Sequence, residues 1–187
     1  NPRPAAVTNI SGGLNVLEAA AQYGLPGVNI AVGNHWENNP YSISKSTVER
    51  FCGMYRRDRH VPVTVVRALN AYGPGQVPAA PYGPSKVRKL LPSLICRALS
   101  GEPLEVYGDG QQVMDMIHVR DVAEILVAAL EETEARGGLD TIVEAGTGRA
   151  TTVTEIADVV LKEVGGGEIS YLPMRPGETP GAVVLAD

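Results

Sequence analysis

The sequence predicts an α/β fold built around a parallel sheet. Segments with helical spacing of apolar residues alternate with short strand-like segments, the strand-like segments are rich in β-branched residues, and most of the connections are short. Parallel strands require crossover connections, usually helical, and the alternation supplies them. We therefore expect an α/β fold with a parallel sheet.

The first half of the chain is predicted to contain two helices and two strands. In chain order these are helix 14–23, strand 28–32, helix 41–57 and strand 63–67. The first helix consists of strong helix formers, is stopped by Gly24 and Pro26, and has an apolar face wide enough to predict a well-buried helix. The strand at 63–67 is of the buried, parallel type.

The second half predicts a long loop followed by further alternation. The Gly/Pro-rich segment 71–86 is long enough for a connection to be functional. The elements after it are helix 87–100 (regular from near Leu91), strands 104–107 and 116–119, a helix from 119 to about 134, strand 141–144, helix 152–164, and strands 168–172 and 183–186.

The composition is that of an ordinary globular protein. Of 187 residues, 44% are hydrophobic, which is enough for a sizeable core. The net charge of −5 and the lack of a long basic run argue against nucleic acid as a partner. No stretch approaches about 18 uncharged apolar residues, so no membrane contact is expected. Cys52 and Cys96 lie in apolar helical patterns and predict buried free thiols, which fits a reducing, cytoplasmic location.

The segment Tyr41-Ser-Ile-Ser-Lys45 is a Y-x-x-x-K motif at a predicted helix start. Residues four apart lie on one helix face, so the ammonium of Lys45 can approach the phenol of Tyr41. A free tyrosine has a pKa of about 10, and a neighbouring cation lowers it. We therefore expect Tyr41 to be a proton acceptor and donor, with Lys45 as its partner.

The same spacing recurs at Tyr82 and Lys86. Gly83 and Pro84 between those two residues oppose a regular helix, so this second copy is not predicted to be catalytic. A surface Tyr and Lys four apart also arise by chance, and the motif gains weight only from its context.

That context is an ordered series of motifs. N-I-S-G-G-L-N-V-L-E-A-A begins at Asn9, and P-Y-S-I-S-K, T-V-V-R, A-L-N-A-Y-G-P-G-Q, G-E-P-L-E-V-Y-G-D-G-Q-Q-V-M-D-M-I-H-V-R-D-V-A and R-P-G-E follow. Over nearly its whole length the chain resembles the extended short-chain dehydrogenase/reductases that act on nucleotide sugars, the NAD-dependent epimerases and dehydratases. The resemblance implies an enzyme with a Rossmann-like NAD-binding sheet and a small α/β substrate lobe at the C-terminal end.

The resemblance also implies a division of the chain. Residues 1–75 correspond to the second half of the Rossmann domain with its catalytic helix. Residues 76–187 correspond mainly to the substrate lobe, with segments around 111–145 returning to the Rossmann sheet. Members of this family pair helices into a four-helix bundle, so a homodimer through residues 12–23 and 41–57 is expected.

Roles for individual residues follow from the same resemblance. Tyr41 and Lys45 match the catalytic pair, and Lys45 would also hold the nicotinamide ribose. The other residues matched to NAD are Asn9, Arg67, Ala68 and Leu69, and those matched to the nucleotide sugar are Asn70 and Arg175. Alternatives remain for three of these: Asn9 as a helix N-terminal residue, Asn70 as a turn cap and Arg175 as a solvated loop residue. His118 in its apolar strand is expected to be structural.

The sequence departs from the family pattern at the cofactor end. The NAD fingerprint G-x-x-G-x-x-G after a first strand is absent, and Gly12-Gly13 follows no strand and does not replace it. We interpret the chain as a fragment, an incomplete Rossmann-like sheet without its N-terminal units. Such a piece alone is expected to bind NAD poorly or not at all, because the pyrophosphate lacks its helix N-terminus.

Further departures concern the substrate. No Ser or Thr lies between Ile30 and Tyr41, where relatives have a hydroxyl that bonds the reacting oxygen; Asn34 or His35 is the hypothesised replacement. The acidic pair of dehydratases is also missing, which argues against 4,6-dehydration. Met114 stands where relatives usually have an arginine that faces the diphosphate, and Glu144 where Asn is common. Lys86, Arg88 or Arg120 would have to compensate for the missing cation.

The leading hypothesis is an NAD-dependent epimerase that acts on a nucleotide-activated sugar through a transient keto-sugar. The alternatives are a dehydratase, decarboxylase or oxidoreductase of the same family, and a non-catalytic relative that kept the fold.

Overall fold

The computed structural model describes residues 1–176 and 178–187 of the chain. Its helices are α1 (Pro2–Ala5), α2 (Gly12–Tyr23), α3 (Pro40–Arg59), α4 (Leu90–Leu99), α5 (Val119–Arg136) and α6 (Val153–Val164), with a π-helical segment (Ala6–Ser11) between α1 and α2. Its strands are β1 (Gly27–Val32), β2 (Val63–Ala68), β3 (Asn70–Tyr72), β4 (Leu104–Tyr107), β5 (Val113–Met114), β6 (Met116–His118), β7 (Val143–Ala145), β8 (Thr151–Thr152), β9 (Ile169–Leu172) and β10 (Val183–Val184).

The main sheet has the order β1-β2-β7 and is parallel throughout. β1 and β2 pair over their full lengths, from Gly27 opposite Val63 to Val32 opposite Ala68. Helix α3 connects these two strands and packs on both, which makes β1-α3-β2 a crossover unit. The predicted α/β fold with a parallel sheet is confirmed.

Helices cover both faces of this sheet. Val63 and Val65 of β2 point into a core with α2 and α3, where Leu17, Val48 and Cys52 are buried. Val66 points the other way and packs with residues of α5. This alternation along one strand is what places a helix layer on each face.

A second core lies away from the main sheet. It contains Leu94 of α4, Leu104 and Val106 of β4, and the apolar face of α6. β4 pairs in parallel with β9, and β10-β5-β8 forms a small mixed sheet beside it. β7 pairs with β2, so a strand from late in the chain lies in the main sheet. The division of the chain near residue 75 into cofactor and substrate parts remains a proposal.

The N-terminal helix is longer and more exposed than the sequence indicated. Helical backbone runs from Pro2 through the π-helical segment to Tyr23. The prediction of a well-buried helix was wrong, because Val16 is 69% exposed and Tyr23 68% exposed, while Leu17 faces the core. Close packing of α2 on α3 depends on Gly13, where a Cβ would lie 2.7 Å from Val48 Cγ1.

The two cysteines and His118 were also assigned environments from the sequence. Cys52 is fully buried as expected, but Cys96 is only half-buried, so the prediction for Cys96 was wrong. His118 is structural, since its Nδ1 accepts a hydrogen bond from the backbone N–H of Arg120 and caps α5. In the part of the chain that the structure describes, no helix combines the length and the apolar character of a membrane span.

Candidate active site

The loop between β1 and α3 sets the position of the Y-x-x-x-K motif. Asn39 is the N-cap of α3, and its side-chain oxygen accepts a hydrogen bond of 2.9 Å from the backbone N–H of Ser42. Pro40 occupies the first helical position, where its missing N–H costs nothing. Tyr41 therefore lies in the first turn of α3, beside the carboxyl end of β1.

Tyr41 opens onto a cavity of about 470 Å³ at the carboxyl ends of β1 and β2. Ligands of open parallel sheets bind at this edge, and the volume suits a substrate of small-molecule size. The residues on its wall include Val32, Gly33, Asn34, Glu37, Tyr41, Ala68, Leu69, Asn70, Lys89, Leu90, Glu105, Tyr107, Met114, Arg175 and Glu178. Six of the sequence-predicted residues are thus brought together: Asn34, Tyr41, Ala68, Leu69, Asn70 and Arg175.

The electrostatics of the motif differ from the expectation. Desolvation raises the pKa of the Tyr41 phenol, which is nevertheless 55% exposed, and burial lowers the pKa of the Lys45 ammonium. The expected lowering of the Tyr41 pKa by Lys45 is therefore wrong. The physical reason is that burial disfavours the charged form of each group.

Asn9 contacts α3 through a serine. Its Nδ2 donates a hydrogen bond of 2.8 Å to Ser44 Oγ, and that hydroxyl donates to the carbonyl of Tyr41. Asn9 lies inside the π-helical segment, so the alternative role as a helix N-terminal residue does not apply. Irregular turns of this type often accompany functional sites.

The loop before α3 carries a small polar cluster. Asn34 Nδ2 and Asn39 Nδ2 both donate to Glu37 Oε2, at 2.9 and 2.7 Å. Asn34 and Glu37 lie on the cavity wall, whereas His35 does not; its Nδ1 is 3.2 Å from the Gly33 carbonyl oxygen and its ring stacks edge-on with Trp36. Of the two hypothesised replacements for the missing hydroxyl, the structure brings Asn34 to the cavity.

Arg67 is directed away from the cavity. Its guanidinium makes a bidentate pair with Glu49 of α3, at 3.0 and 2.7 Å, and a third contact of 3.3 Å to Glu144 of β7. The side chains of Arg67 and Glu49 are only 14% and 11% exposed. This network fixes α3 to the sheet, and it gives Glu144, which replaces the common Asn, a structural partner.

Asn70 and a buried aspartate organise the floor of the site. The backbone N–H and the side-chain Nδ2 of Asn70 both approach the carbonyl oxygen of Asp115, each at 3.3 Å. The Asp115 carboxylate is fully buried and accepts from Thr147 N, Thr147 Oγ1, Gly148 N and Ala186 N at 2.6–3.3 Å. Burial alone would raise the pKa of Asp115, and these hydrogen bonds hold it below its ordinary value.

Two arginines flank Tyr107. The Arg88 guanidinium donates to Tyr107 Oη at 2.9 Å and to Glu105 Oε2 at 2.6 Å, and Arg175 lies over the Tyr107 ring with Cζ 4.7 Å from the centroid. Arg175 reaches the cavity wall and pairs with Glu178. Gly177 of the R-P-G-E motif lies outside the described residues.

The remaining predicted residues do not reach the cavity. Lys45, Asn9, His35, Arg67, Lys86 and Arg88 are absent from its wall, and Lys86 is exposed on the loop before α4. Lys89 lies on the wall instead, as does Met114. Lys89 immediately precedes α4, which begins at Leu90, close to the predicted start near Leu91. The sequence held no signal that favoured Lys89 over Lys86 and Arg88.

Sequence reasoning also missed Glu37 and Asp115. Glu37 is one of several polar residues in a short loop, and only the folded loop shows that its carboxylate is held by two asparagines. Asp115 stands next to Met114, and nothing in the sequence marks it as buried. The decoy Tyr82 lies outside any helix, as predicted, and its hydroxyl donates to Glu102 at 2.7 Å.

A second cavity lies apart from the predicted site residues. The cavity, of about 490 Å³, is lined mainly by apolar side chains of the loop after β3 and of α4. It contains none of the predicted site residues. Among residues 1–176 and 178–187, no three His, Cys, Asp or Glu side chains cluster in a way that could hold a metal ion.

The sequence and the fold were compared with those of known proteins. The sequence model of one family, described as NAD dependent epimerase/dehydratase family, matches residues 1–143. A trifunctional UDP-glucose 4,6-dehydratase/UDP-4-keto-6-deoxy-D-glucose 3,5-epimerase/UDP-4-keto-L-rhamnose-reductase of Arabidopsis thaliana is 33% identical over 162 residues, covering 82% of this chain and 22% of that protein. A dTDP-glucose 4,6-dehydratase of Actinoplanes sp. is 30% identical and covers 75% of this chain and 40% of its own length.

Solved structures agree in fold. The UDP-glucose 4-epimerase of Thermotoga maritima, solved with UDP-glucose, superposes with a TM-score of 0.82 at 28% identity, covering 100% of this chain and 62% of that one. The UDP-glucose 4-epimerase of Thermus thermophilus, solved with NAD, gives a TM-score of 0.77 at 28% identity and covers 97% and 65%. The chain therefore spans less than two thirds of the length of each of these proteins.

Proposed function

The chain belongs to the NAD-dependent epimerase/dehydratase family, and from this premise we propose that the full-length protein is an NAD-dependent epimerase of a nucleotide-activated sugar. The observation that carries the proposal is the position of Tyr41, which lies on the wall of a cavity at the carboxyl edge of a parallel sheet. Tyr41 is in the first turn of α3, and Lys45 follows one turn later on the same helix. Phenol, cavity and sheet edge together suit proton transfer to a bound sugar.

The residues present suit the nicotinamide end of NAD. Lys45 is half-buried, and within the described part of the chain no carboxylate lies within 4 Å of its ammonium. A partly desolvated ammonium of this kind favours hydroxyl acceptors such as those of a ribose, and Asn9, Ala68 and Leu69 would complete that end. When bound, NAD supplies the acceptor and donor of a hydride.

The residues of this chain would manage the proton and the substrate. Tyr41 Oη would take the proton from the sugar C4 hydroxyl as the C4 hydrogen leaves as hydride, and would return it once the keto-sugar has turned its other face. Asn34, with one amide N–H on Glu37, is the proposed partner of the reacting oxygen in place of the missing Ser or Thr. Bound NAD⁺ and Lys45 would oppose the desolvation that raises the Tyr41 pKa.

The far end of the cavity is proposed to bind the nucleotide diphosphate. Lys89 and Arg175 are the cations on that wall, and Asn70 supplies an amide near the floor. Arg88 would contribute to substrate binding indirectly, because it holds the wall residues Tyr107 and Glu105 in place. Lys86 would need the loop before α4 to move.

A 4,6-dehydratase is the second candidate. Its support is Glu37, a carboxylate on the same wall as Tyr41, together with the dehydratases among the relatives. Dehydration needs both an acid and a base beside the tyrosine, and the loop brings a single carboxylate to the wall, which favours epimerisation.

Product analysis tests the proposal directly. The full-length protein is incubated with NAD⁺ and either UDP-glucose or dTDP-glucose, and the sugar products are identified by NMR. The proposal predicts the C4 epimer of one of these substrates. A 4-keto-6-deoxy sugar would assign the dehydratase reaction, and unchanged substrates across a broader panel of nucleotide sugars would place the protein among non-catalytic relatives.

A further inference from the structure

Glu37 differs from the other acidic residues on the cavity wall. Glu105 is neutralised by Arg88 and Arg97, at 2.6 and 3.1 Å, and Glu178 pairs with Arg175. Among residues 1–176 and 178–187, Glu37 has no cationic side chain within 4 Å. The end of the cavity next to Tyr41 therefore carries an uncompensated negative charge.

The loop holds this carboxylate in a fixed orientation. Asn34 Nδ2 and Asn39 Nδ2 both donate to Oε2, and Asn39 is itself fixed by capping α3 through its Oδ1. Within the described residues Oε1 receives no hydrogen bond. One oxygen thus anchors Glu37 to the loop, and the other is left free to accept a hydrogen bond.

We propose that Glu37 is a specificity residue, which accepts a hydrogen bond from a sugar hydroxyl and excludes sugars that carry a carboxylate. The inference rests on the proposed function, because the action of Tyr41 on the sugar places the sugar at this end of the cavity. A carboxylate is an acceptor only and pairs well with hydroxyl donors. A second carboxylate opposite it meets like-charge repulsion in a partly desolvated site. The substrate class is therefore a neutral hexose nucleotide rather than a hexuronate nucleotide.

Two probes that differ only at C6 test this inference. UDP-glucose has a hydroxymethyl group there and UDP-glucuronic acid a carboxylate. The affinity of the full-length protein with NAD⁺ for each probe is measured by calorimetry, for the wild-type protein and for Glu37→Gln. Glutamine keeps the size of the side chain and an oxygen for Asn34 and Asn39. Glu131→Gln, an exposed position on α5, is the control with the same change in net charge.

The expected result is a wild-type preference for UDP-glucose that Glu37→Gln narrows by about tenfold, as expected for losing one charged interaction. The control should leave both affinities unchanged. The inference would be overturned by a wild-type protein that shows no preference for UDP-glucose or binds neither probe. It would also be overturned if Glu37→Gln changed the affinities for the two probes by the same factor, or if it reduced only turnover. If Glu37→Gln narrows the preference as expected but the protein forms no sugar product, the proposed reaction is wrong and the specificity role of Glu37 is retained.

Discussion

Asp115 shows how a single buried residue organises the site. Its carboxylate draws together the Gly146-Thr147-Gly148 turn and the backbone of Ala186, while its carbonyl oxygen holds Asn70. A Cβ at Gly146 would lie 2.5 Å from Asp115 Oδ2, so the turn needs glycine there. A charge with four backbone and hydroxyl donors is stable in the interior, whereas an unpaired one is not.

The Asp115 pKa predicts a pH dependence of stability. The folded-state pKa lies below the unfolded value of about 3.9, so the ionised group stabilises the fold above that pH. This contribution is lost as the pH falls below about 4 and through the lower folded pKa. Asp115→Asn should lower the free energy of unfolding at neutral pH by about 2–3 kcal/mol and weaken its decline in acid.

Urea unfolding at neutral and acidic pH measures both effects. Asp158→Asn, on the exposed side of α6, should unfold like the wild-type protein at each pH. If Asp115→Asn showed the full wild-type decline in acid, the carboxylate would not be the titrating group that the structure indicates.

At the scale of residues, sequence spacing predicted which side chains share a helix face. Tyr41 and Lys45 were found because i and i+4 share a helix face, and α3 does begin at Pro40. Glu37 was missed because its role comes from the folded loop. Arg67 was expected at the cofactor, yet its side chain points to Glu49 and Glu144, because a buried guanidinium requires nearby carboxylates.

At the scale of elements, long periodic segments were predicted to within a few residues. Strands β3, β5 and β8 were not predicted, whereas β6, β7 and β10, which are just as short, were. In segments of two or three residues the sequence shows no periodicity that separates a strand from a loop. The start of the N-terminal helix was placed too late. Pro2 and Pro4 lie in the first turn of α1, where proline is tolerated because its missing N–H would have no partner.

Helices α2 and α3 supply the proposed dimer surface. They pack side by side, and Val16, Tyr23 and Ile43 leave apolar side chains at least half exposed. Exposed apolar groups on adjoining helices are favourable to bury against a second copy. Val16→Glu should therefore convert a dimer of the full-length protein into monomers without loss of folding.

Analytical ultracentrifugation measures this change. Val127→Glu places the same substitution at a comparably exposed site on α5, outside the proposed surface, and should leave the dimer intact. A wild-type monomer, or a Val16→Glu variant that remains dimeric, would contradict the proposed pairing of α2 and α3.

At the scale of the whole molecule, the cavity lies where the main sheet meets the second core. The sheet contributes Val32, Ala68 and Leu69, the second core contributes Leu90 and Tyr107, and Tyr41 lies at the sheet end. Under the proposed function, a long substrate would place its sugar at Tyr41 and its nucleotide near Tyr107. The alternation of helix and strand predicted both parts, but not which of their side chains would face each other.

In the proposed reaction, Tyr41 moves a proton while a sugar is oxidised. The most direct test of this step is rapid mixing of NAD⁺-loaded full-length protein with the nucleotide sugar that it converts. The absorbance of reduced nicotinamide then measures the oxidation of the sugar. We predict a transient signal in the wild-type protein and in Tyr82→Phe, the decoy with the same sequence spacing. Tyr41→Phe should reduce its rate by about 10²–10⁴-fold, the usual contribution of general acid–base catalysis. Equal transients in Tyr41→Phe and the wild-type protein would contradict the assignment of Tyr41.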